Sequence, residues 1–328
     1  MRILFTGGAG YVGSACLRWL LSAGYDALAF DNLSEGNRAA VPGDRLIVGD
    51  IGDRQALSRV MAENQIDAVM HFAAVASVPD SIARPDEYWR INVLGTKNVL
   101  DAMRENGVTK LIFSSTAATY SFDTVMPITE ESPQEPKVPY GTTKLAAEHL
   151  IKDYSGAYGI AATILRYFNA SGADHDGQYG ESRQRESHLI PMILATASGH
   201  RSEVRIFGGD WETPDGTCVR DFVHTDDLAQ AHELAMEALV PGHVSIYNVG
   251  FGTGVSVLEA LKTCEDVVGS SIRYRIVDRR PGDPATLVAS PAKLEVELGW
   301  KPRCDLRSIV ETAWLWHKTH PTGYADDV

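Results

Sequence analysis

A doubly wound α/β fold, a parallel sheet covered by helices on both faces, is what this chain of 328 residues predicts, and three observations carry that expectation. Short apolar runs alternate with stretches of helical periodicity through the first half. The first run passes through a cluster of glycines directly into a helix, and from about Ala170 the rhythm breaks. The elements follow in order. "RILFT" reads as a strand, Tyr11 to Ala23 as a helix, "DALAF" and "RLIVG" as strands, Arg54 to Asn64 as a helix and "DAVMHFA" as a strand. Glu87 to Asn106 reads as one long helix, "KLIFSS" as a strand, Tyr140 to Tyr158 as a helix and "AATILRYF" as a strand. Beyond them "NASGADHDGQYGESRQRESH" is rich in glycine and charge, and mixed helix and strand signals follow. The expected organisation is a sheet domain over 1–169, joined by segments near 221–250, and a smaller, mixed α/β substrate-binding domain over 170–328. Near its end "IVETAWLWHKTHP" sets Ile309, Ala313 and Trp316 on one helical face, a core pattern.

Composition narrows the function classes. Apolar residues make up 44% of the chain, enough for a substantial core. Lys and Arg number 30 against 43 Asp and Glu, and the net charge of −13 gives no general attraction to nucleic acid or an anionic membrane. A polyanionic ligand must therefore be held by local arginines. Cys16, Cys218, Cys264 and Cys304 are scattered, with no CxxC pair and no His/Cys metal spacing, so packed, reduced thiols and no metal are expected. "TGGAG" arrives after five residues and no apolar run approaches the length of a membrane span. The expectation is a soluble, cytoplasmic protein.

"ILFTGGAGYVG" joins the first strand to the first helix. Gly8-x-Gly10-x-x-Gly13 fits the dinucleotide (Rossmann) fingerprint, and Gly7-x-x-Gly10-x-x-Gly13 fits its short-chain dehydrogenase relative. Such a loop needs a tight turn, close backbone approach to a pyrophosphate and close helix-to-strand contact, with the diphosphate at the positive helix end. A purely structural βα turn is the alternative. Asp31 ends the second strand 18 residues after Gly13, where a carboxylate accepts from both ribose hydroxyls and repels a 2′-phosphate. NAD is thus favoured over NADP.

In "VPYGTTKLAAE", Tyr140 and Lys144 are four residues apart on one helix face. A solvated surface pair would have the same spacing. "KLIFSS" ends at Ser114 and Ser115 with Thr116 next, and at the carboxyl edge of a doubly wound sheet these hydroxyls sit beside a cofactor. A phenol with a pKa of about 10 is phenolate in about one molecule in a thousand at pH 7. Raising that share to about half takes roughly 4 kcal/mol, which a cation ~4 Å away in a medium of dielectric ~20 supplies. Lys144 is expected to be that cation, and Thr116 to hydrogen-bond the reacting oxygen.

Tyr-x-x-x-Lys on a helix, a Ser or Thr after the fifth strand and an amino-terminal TGGxGxxG together resemble the extended short-chain dehydrogenase/reductases. Within them the chain is most similar to the nucleotide-sugar 4-epimerases that act on UDP-sugars. The likeness runs through "FDNLS", "HFAA", "NVLGTKNVLDAM", "FSSTAATY", "LRYFNASGA", "DGTCVRDFVHTDDLAQAH", "YNVGFGTGVSV" and "RRPGDPATLVAS".

The resemblance implies that Gly7, Gly10, Tyr11, Val12 and Gly13 line the cofactor loop. Asp31 and Asn32 would contact the adenosine ribose, Asp50 and Ile51 the adenine, and Phe72, Ala73 and Ala74 the diphosphate region. Asn92, Ser114 and Lys144 would contact the cofactor, and Tyr167 the nicotinamide. Asn169, Arg220, Arg280 and Asp283 would hold the UDP-sugar, with His188 and Leu189 beside them and Arg205, Ile206 and Phe207 bordering the uracil. An acidic chain makes Arg220 and Arg280 sensible diphosphate clamps. A structural ion pair with Asp221 or Asp283 is the alternative. The implied reaction has Tyr140 take the proton of the sugar's 4-hydroxyl while C4 gives hydride to NAD, with return to the other face of the ketone. UDP-glucose and UDP-galactose are the implied substrates, and the implied state is a homodimer. UDP-glucuronate, UDP-pentoses and UDP-N-acetylhexosamines stay open, as do decarboxylase and reductase chemistries on this scaffold. A 4,6-dehydratase is disfavoured because Ala117 and Ala118 follow Thr116 where that chemistry needs an acid.

Three places in the chain depart from the family pattern. Ala76 stands where many members have a lysine, Ser187-His188 stands where Asn-Asn is common, and Leu287 aligns with a bulky tyrosine. The last would leave room for an N-acetyl group at C2.

Overall fold

Ile3, Leu4 and Phe5 are all fully buried, which successive residues of a strand achieve only where both sheet faces are covered. They lie in β1 (Arg2–Thr6), at the start of a computed structural model that describes residues 1–183, 185–280 and 282–324. From there α1 (Tyr11–Ser22), β2 (Asp26–Asp31), β3 (Leu46–Val48), α2 (Arg54–Glu63) and β4 (Ala68–His71) follow. Next come α3 (Val78–Ala83), α4 (Pro85–Tyr88), α5 (Thr96–Glu105), β5 (Lys110–Thr116), α6 (Pro139–Tyr158) and β6 (Ala161–Tyr167). The rest of the chain forms β7 (Asn169–Ser171), α7 (Leu189–Ala197), β8 (Val204–Phe207), β9 (Val219–Arg220), β10 (Phe222–His224), α8 (Thr225–Glu237) and β11 (Val244–Val249). It closes with β12 (Val255–Ser256), α9 (Val257–Val268), β13 (Tyr274–Val277), β14 (Thr286–Leu287), α10 (Ala292–Leu298) and α11 (Leu306–Thr319).

Seven strands pair in parallel in the order β11-β6-β5-β4-β1-β2-β3. The order reverses between β1 and β4, and in such sheets the crevice at the carboxyl ends beside that reversal is where ligands bind. One apolar cluster packs α1 and α8 on one face, with Cys16, Leu17, Leu20, Leu228 and Ala231. A second packs α2, α5 and α6 on the other, with Leu57, Met61, Leu100, Met103 and Ile151. The α/β expectation therefore holds, and β11 supplies a late-arriving outer strand.

The remaining segments build three small sheets, β10-β7, β12-β9-β14 and β13-β8. Helices α7, α9 and α11 cover them around Ile193, Leu194, Leu261, Ile309 and Val310. Ile309, Ala313 and Trp316 are buried, as their spacing requires.

One helix differs from expectation. In place of an unbroken helix from Glu87 to Asn106, a π turn over Trp89–Gly95 separates α4 from α5. The wider turn sets Asn92, whose side chain bonds the Val75 amide at 3.0 Å, the Val75 carbonyl at 3.1 Å and the Thr143 hydroxyl at 3.1 Å. Such turns recur where a helix aims a functional residue, a distortion that periodicity does not register.

Candidate active site

The glycine loop divides its labour. Gly7 has φ +73°, and a Cβ there would lie 2.4 Å from the Ala73 amide nitrogen. A Cβ on Gly13 would lie 2.2 Å from the Gly7 carbonyl oxygen, so the helix could not approach the strand. Gly10 differs: a Cβ there would meet only Gly7 O, at 3.3 Å, because its open side faces no protein atom. It caps α1 through its backbone, so the free side lies at a positive helix end. That space suits a diphosphate, and the donor set fits a dinucleotide.

Asp31 is buried, and its carboxylate takes the Ala9 amide at 3.0 Å and the Leu33 amide at 2.8 Å. Burial raises its pKa, while those two amides pull it down. Each oxygen keeps a free lone pair for a ribose hydroxyl. Asn32 donates to Asp50 at 2.8 Å, which also takes the Gly52 amide, so the two residues assigned to adenosine form one rim. Ile51 packs against Gly95 beneath that rim. Phe72 and Ala73 follow β4, held by amide bonds to Thr6 O at 2.8 and 2.9 Å. Tyr11 bonds the Gly172 carbonyl at 2.5 Å, tying the loop to the segment after β7, and Val12 packs into the core beside it.

At the end of β5, Thr116 faces the Tyr140 phenol, and Ser114 faces that of Tyr167. Burial raises the Tyr140 pKa, against the opposing pulls of Thr116 and Arg183. Tyr88 meets the Tyr140 ring edge-on, with centroids 6.4 Å apart. Lys144 is 3% exposed, and its ammonium lies 4.5 Å from the centre of the Phe113 ring. Burial lowers its pKa to about 7, and Glu148 draws it back up. Thr116 and Arg183 pull the Tyr140 phenol toward phenolate, and Lys144 stands one helical turn on with its own charge opposed by burial.

The sugar-side residues are spread over the second half. Asn169 donates to Asp221 O at 2.7 Å. Arg220 is in register with Leu287 across β9 and β14. It does not pair with Asp221, whose carboxylate is taken by the amides of Phe251, Gly252 and Ala289 at 2.7 to 3.0 Å. Arg280 does pair with Asp283, at 2.9 Å, and its guanidinium sits 5.3 Å from the centre of the Phe207 ring. On β8 the alternation of faces leaves Arg205 and Phe207 available but turns Ile206 into the core at 1% exposure. Ile206 is thus withdrawn as a side-chain contact, because adjacent strand residues cannot share a face. Leu189 likewise packs against the α7 core. His188 precedes α7, with Nδ1 2.8 Å from Glu181 and 3.2 Å from Glu186. Its Nδ1 has the distance but not the alignment of a hydrogen bond, so the attraction is one of charge. Burial opposes that charge, yet Glu181 outweighs it and raises the His188 pKa to about 9.

The description "NAD dependent epimerase/dehydratase family" belongs to the family model that matches residues 3–250. The chain belongs to this family. It is 50% identical over 318 residues to UDP-glucose 4-epimerase of Corynebacterium glutamicum, covering 96% of this chain and 95% of that one. UDP-glucose 4-epimerase of Halalkalibacterium halodurans is 46% identical, over 100% of this chain and 98% of that one. Among solved structures, UDP-glucose 4-epimerase from Bifidobacterium longum in complex with NAD+ and UDP superimposes with a TM-score of 0.95 at 37% identity, covering 99% and 100% of the two chains.

For this NAD-dependent epimerase/dehydratase chain, sequence reasoning passed over two side chains that the fold brings to the site. Arg183, bound to Glu181 at 2.7 Å, acts on both Tyr11 and Tyr140 from a segment with no periodicity. His232 on α8 bonds the Tyr167 phenol and stacks on Phe72, a juxtaposition set by packing alone. A signal for His232 was present in "DLAQAH", quoted above without a role for the histidine.

Proposed function

We propose that this chain is an NAD-dependent UDP-sugar 4-epimerase that interconverts UDP-glucose and UDP-galactose. The observation that carries the reading is Tyr140, with Thr116 at the carboxyl end of β5 against its phenol and the underpaired Lys144 one turn on. Close identity to chains named UDP-glucose 4-epimerase supports the substrate.

Bound NAD supplies a reversible hydride acceptor, so that the carbinol at C4 of the sugar can become a ketone and be reduced again. The protein's own share is proton transfer and positioning. Tyr140 takes the proton of the 4-hydroxyl and gives it back, with Thr116 orienting the oxygen between them. Lys144, one helical turn beyond Tyr140, would help hold the cofactor and supply positive charge there. Arg220 and Asn169 hold the diphosphate and sugar, and Arg280 exchanges Asp283 for a phosphate oxygen. One base serves both faces of C4, provided the sugar swings about a fixed diphosphate. Ala117 and Ala118 offer no acid, which argues against dehydration. The proposed lobes are 1–169 with segments near 221–250 for the cofactor, and 170–328 for the sugar nucleotide.

We further propose a cytosolic homodimer. The exposed Ile82, Trp89 and Leu94 between α3 and α5 support association. No helix among the described residues is long and apolar enough to cross a membrane. Incubation with UDP-galactose, UDP-glucuronate, UDP-xylose and UDP-N-acetylglucosamine, with product identification, tests the substrate. UDP-glucose from UDP-galactose is expected. Turnover of UDP-glucuronate alone would overturn it.

A further inference from the structure

His232 on α8 is fully buried and has no part in the proton transfer above, yet it touches three other elements of the cofactor side. Its Nδ1 lies 2.8 Å from the Leu228 carbonyl oxygen, which can only accept. Nδ1 therefore carries the proton, and Nε2 keeps its lone pair. The partner of Nε2 is the Tyr167 hydroxyl, which must donate to it. The imidazole stacks on Phe72, with ring centroids 4.9 Å apart and 29° between planes, and the Cys16 sulfur of α1 lies 3.6 Å from Nδ1. Burial keeps both partners neutral, holding His232 at about 4 and raising Tyr167 well above the ordinary phenol range. The direction of the hydrogen bond is thus the same at every working pH. With its proton committed to His232, the Tyr167 oxygen can only accept from its other neighbours, the Ser114 hydroxyl among them.

We propose that His232 is a positioning residue for the nicotinamide: it makes the Tyr167 phenol an obligate acceptor and stacks on the Phe72 ring, holding two cofactor-side residues through one side chain. This rests on the NAD-dependent reading given above and on the resemblance that implies Tyr167 at the nicotinamide. An acceptor-only phenol selects the N–H edge of a carboxamide over its carbonyl edge, and so selects one rotamer of that group. Tyr167 held in one pose would hold such a carboxamide in one orientation. A misplacement of about 1 Å can cost about 10²-fold in rate.

The test uses the full-length protein. His232→Phe keeps a stacking ring and removes the acceptor, His232→Gln restores an acceptor, and Tyr167→Phe removes the donor. In His232→Phe we expect kcat to fall about 10²-fold, with KM for UDP-galactose within about threefold of wild type. Reduced cofactor should remain on this variant after the sugar is removed, visible by its fluorescence. His232→Gln should recover most of kcat, and the His232→Phe/Tyr167→Phe double variant should be no worse than the weaker single one. Wild-type kcat in His232→Phe, additive losses in the double variant, no recovery in His232→Gln, or activity lost only in step with folded fraction by circular dichroism would each overturn the role of His232. A wild-type protein that neither holds NAD nor epimerises would overturn the proposed function itself, before any variant is compared.

Discussion

Two buried cations stand within one network of the sheet edge, and they are treated in opposite ways. Arg166 on β6 is clamped by Glu148 through bonds of 2.6 and 3.0 Å, and donates to the Tyr120 hydroxyl at 2.7 Å. Burial opposes its charge, but Glu148 outweighs burial and raises its pKa. Lys144, one helical turn from Glu148, has no carboxylate within ion-pairing distance among the described residues and rests on an aromatic ring. Burial wins there, and its pKa falls to about 7. A charge that only holds the fold together is satisfied by the protein, whereas a charge kept for a ligand is left underpaired at some cost. The same helix, α6, carries both cases: Lys144 is buried without a carboxylate partner, and Glu148 one turn on is committed to Arg166.

Substitutions at these positions sharpen the contrast. Tyr140→Phe should have the largest effect, a fall in kcat of about 10²–10⁴-fold with bound NAD retained. Wild-type turnover in that variant would remove Tyr140 from the chemistry. Lys144→Met comes next: turnover should fall by about 10²-fold, while the empty protein unfolds no more easily than wild type. A clear loss of stability would make Lys144 a structural charge like Arg166. Glu148→Gln reverses the pattern, destabilising by about 3–5 kcal/mol in urea because Arg166 is left buried and unpaired. Turnover per folded molecule should change much less than in Lys144→Met.

The last effect concerns pH. The folded pKa of Lys144 is about 7, below its unfolded value of about 10.4, so the unfolded chain binds the extra proton between them. Stability of the empty protein should therefore rise with pH across that window, and the part due to this group should vanish in Lys144→Met. An identical slope in both proteins would show that Lys144 is not depressed.

Much of this was legible in the sequence, for identifiable reasons. The glycine loop and the Tyr140–Lys144 spacing are local patterns whose geometry follows from a strand, a turn and a helix. Arg220's independence from Asp221 was not legible, because it depends on three amides from residues 251, 252 and 289 converging on one carboxylate. Nor was the lysine's lowered pKa, since desolvation is a property of packing rather than of spacing. His232 reaches Tyr167 across 65 positions of chain, and the charge of Arg183 bears on Tyr140 from an aperiodic loop. Contacts of that kind leave no trace in periodicity.

The central claim is that one enzyme-bound hydride acceptor and one base, Tyr140, invert C4 of a UDP-hexose. Incubating the wild-type holoenzyme with UDP-galactose deuterated at C4, in ordinary water, tests this most directly. UDP-glucose carrying the deuterium at C4 is expected. Product in which that position has exchanged with solvent, or no conversion at all, would contradict it.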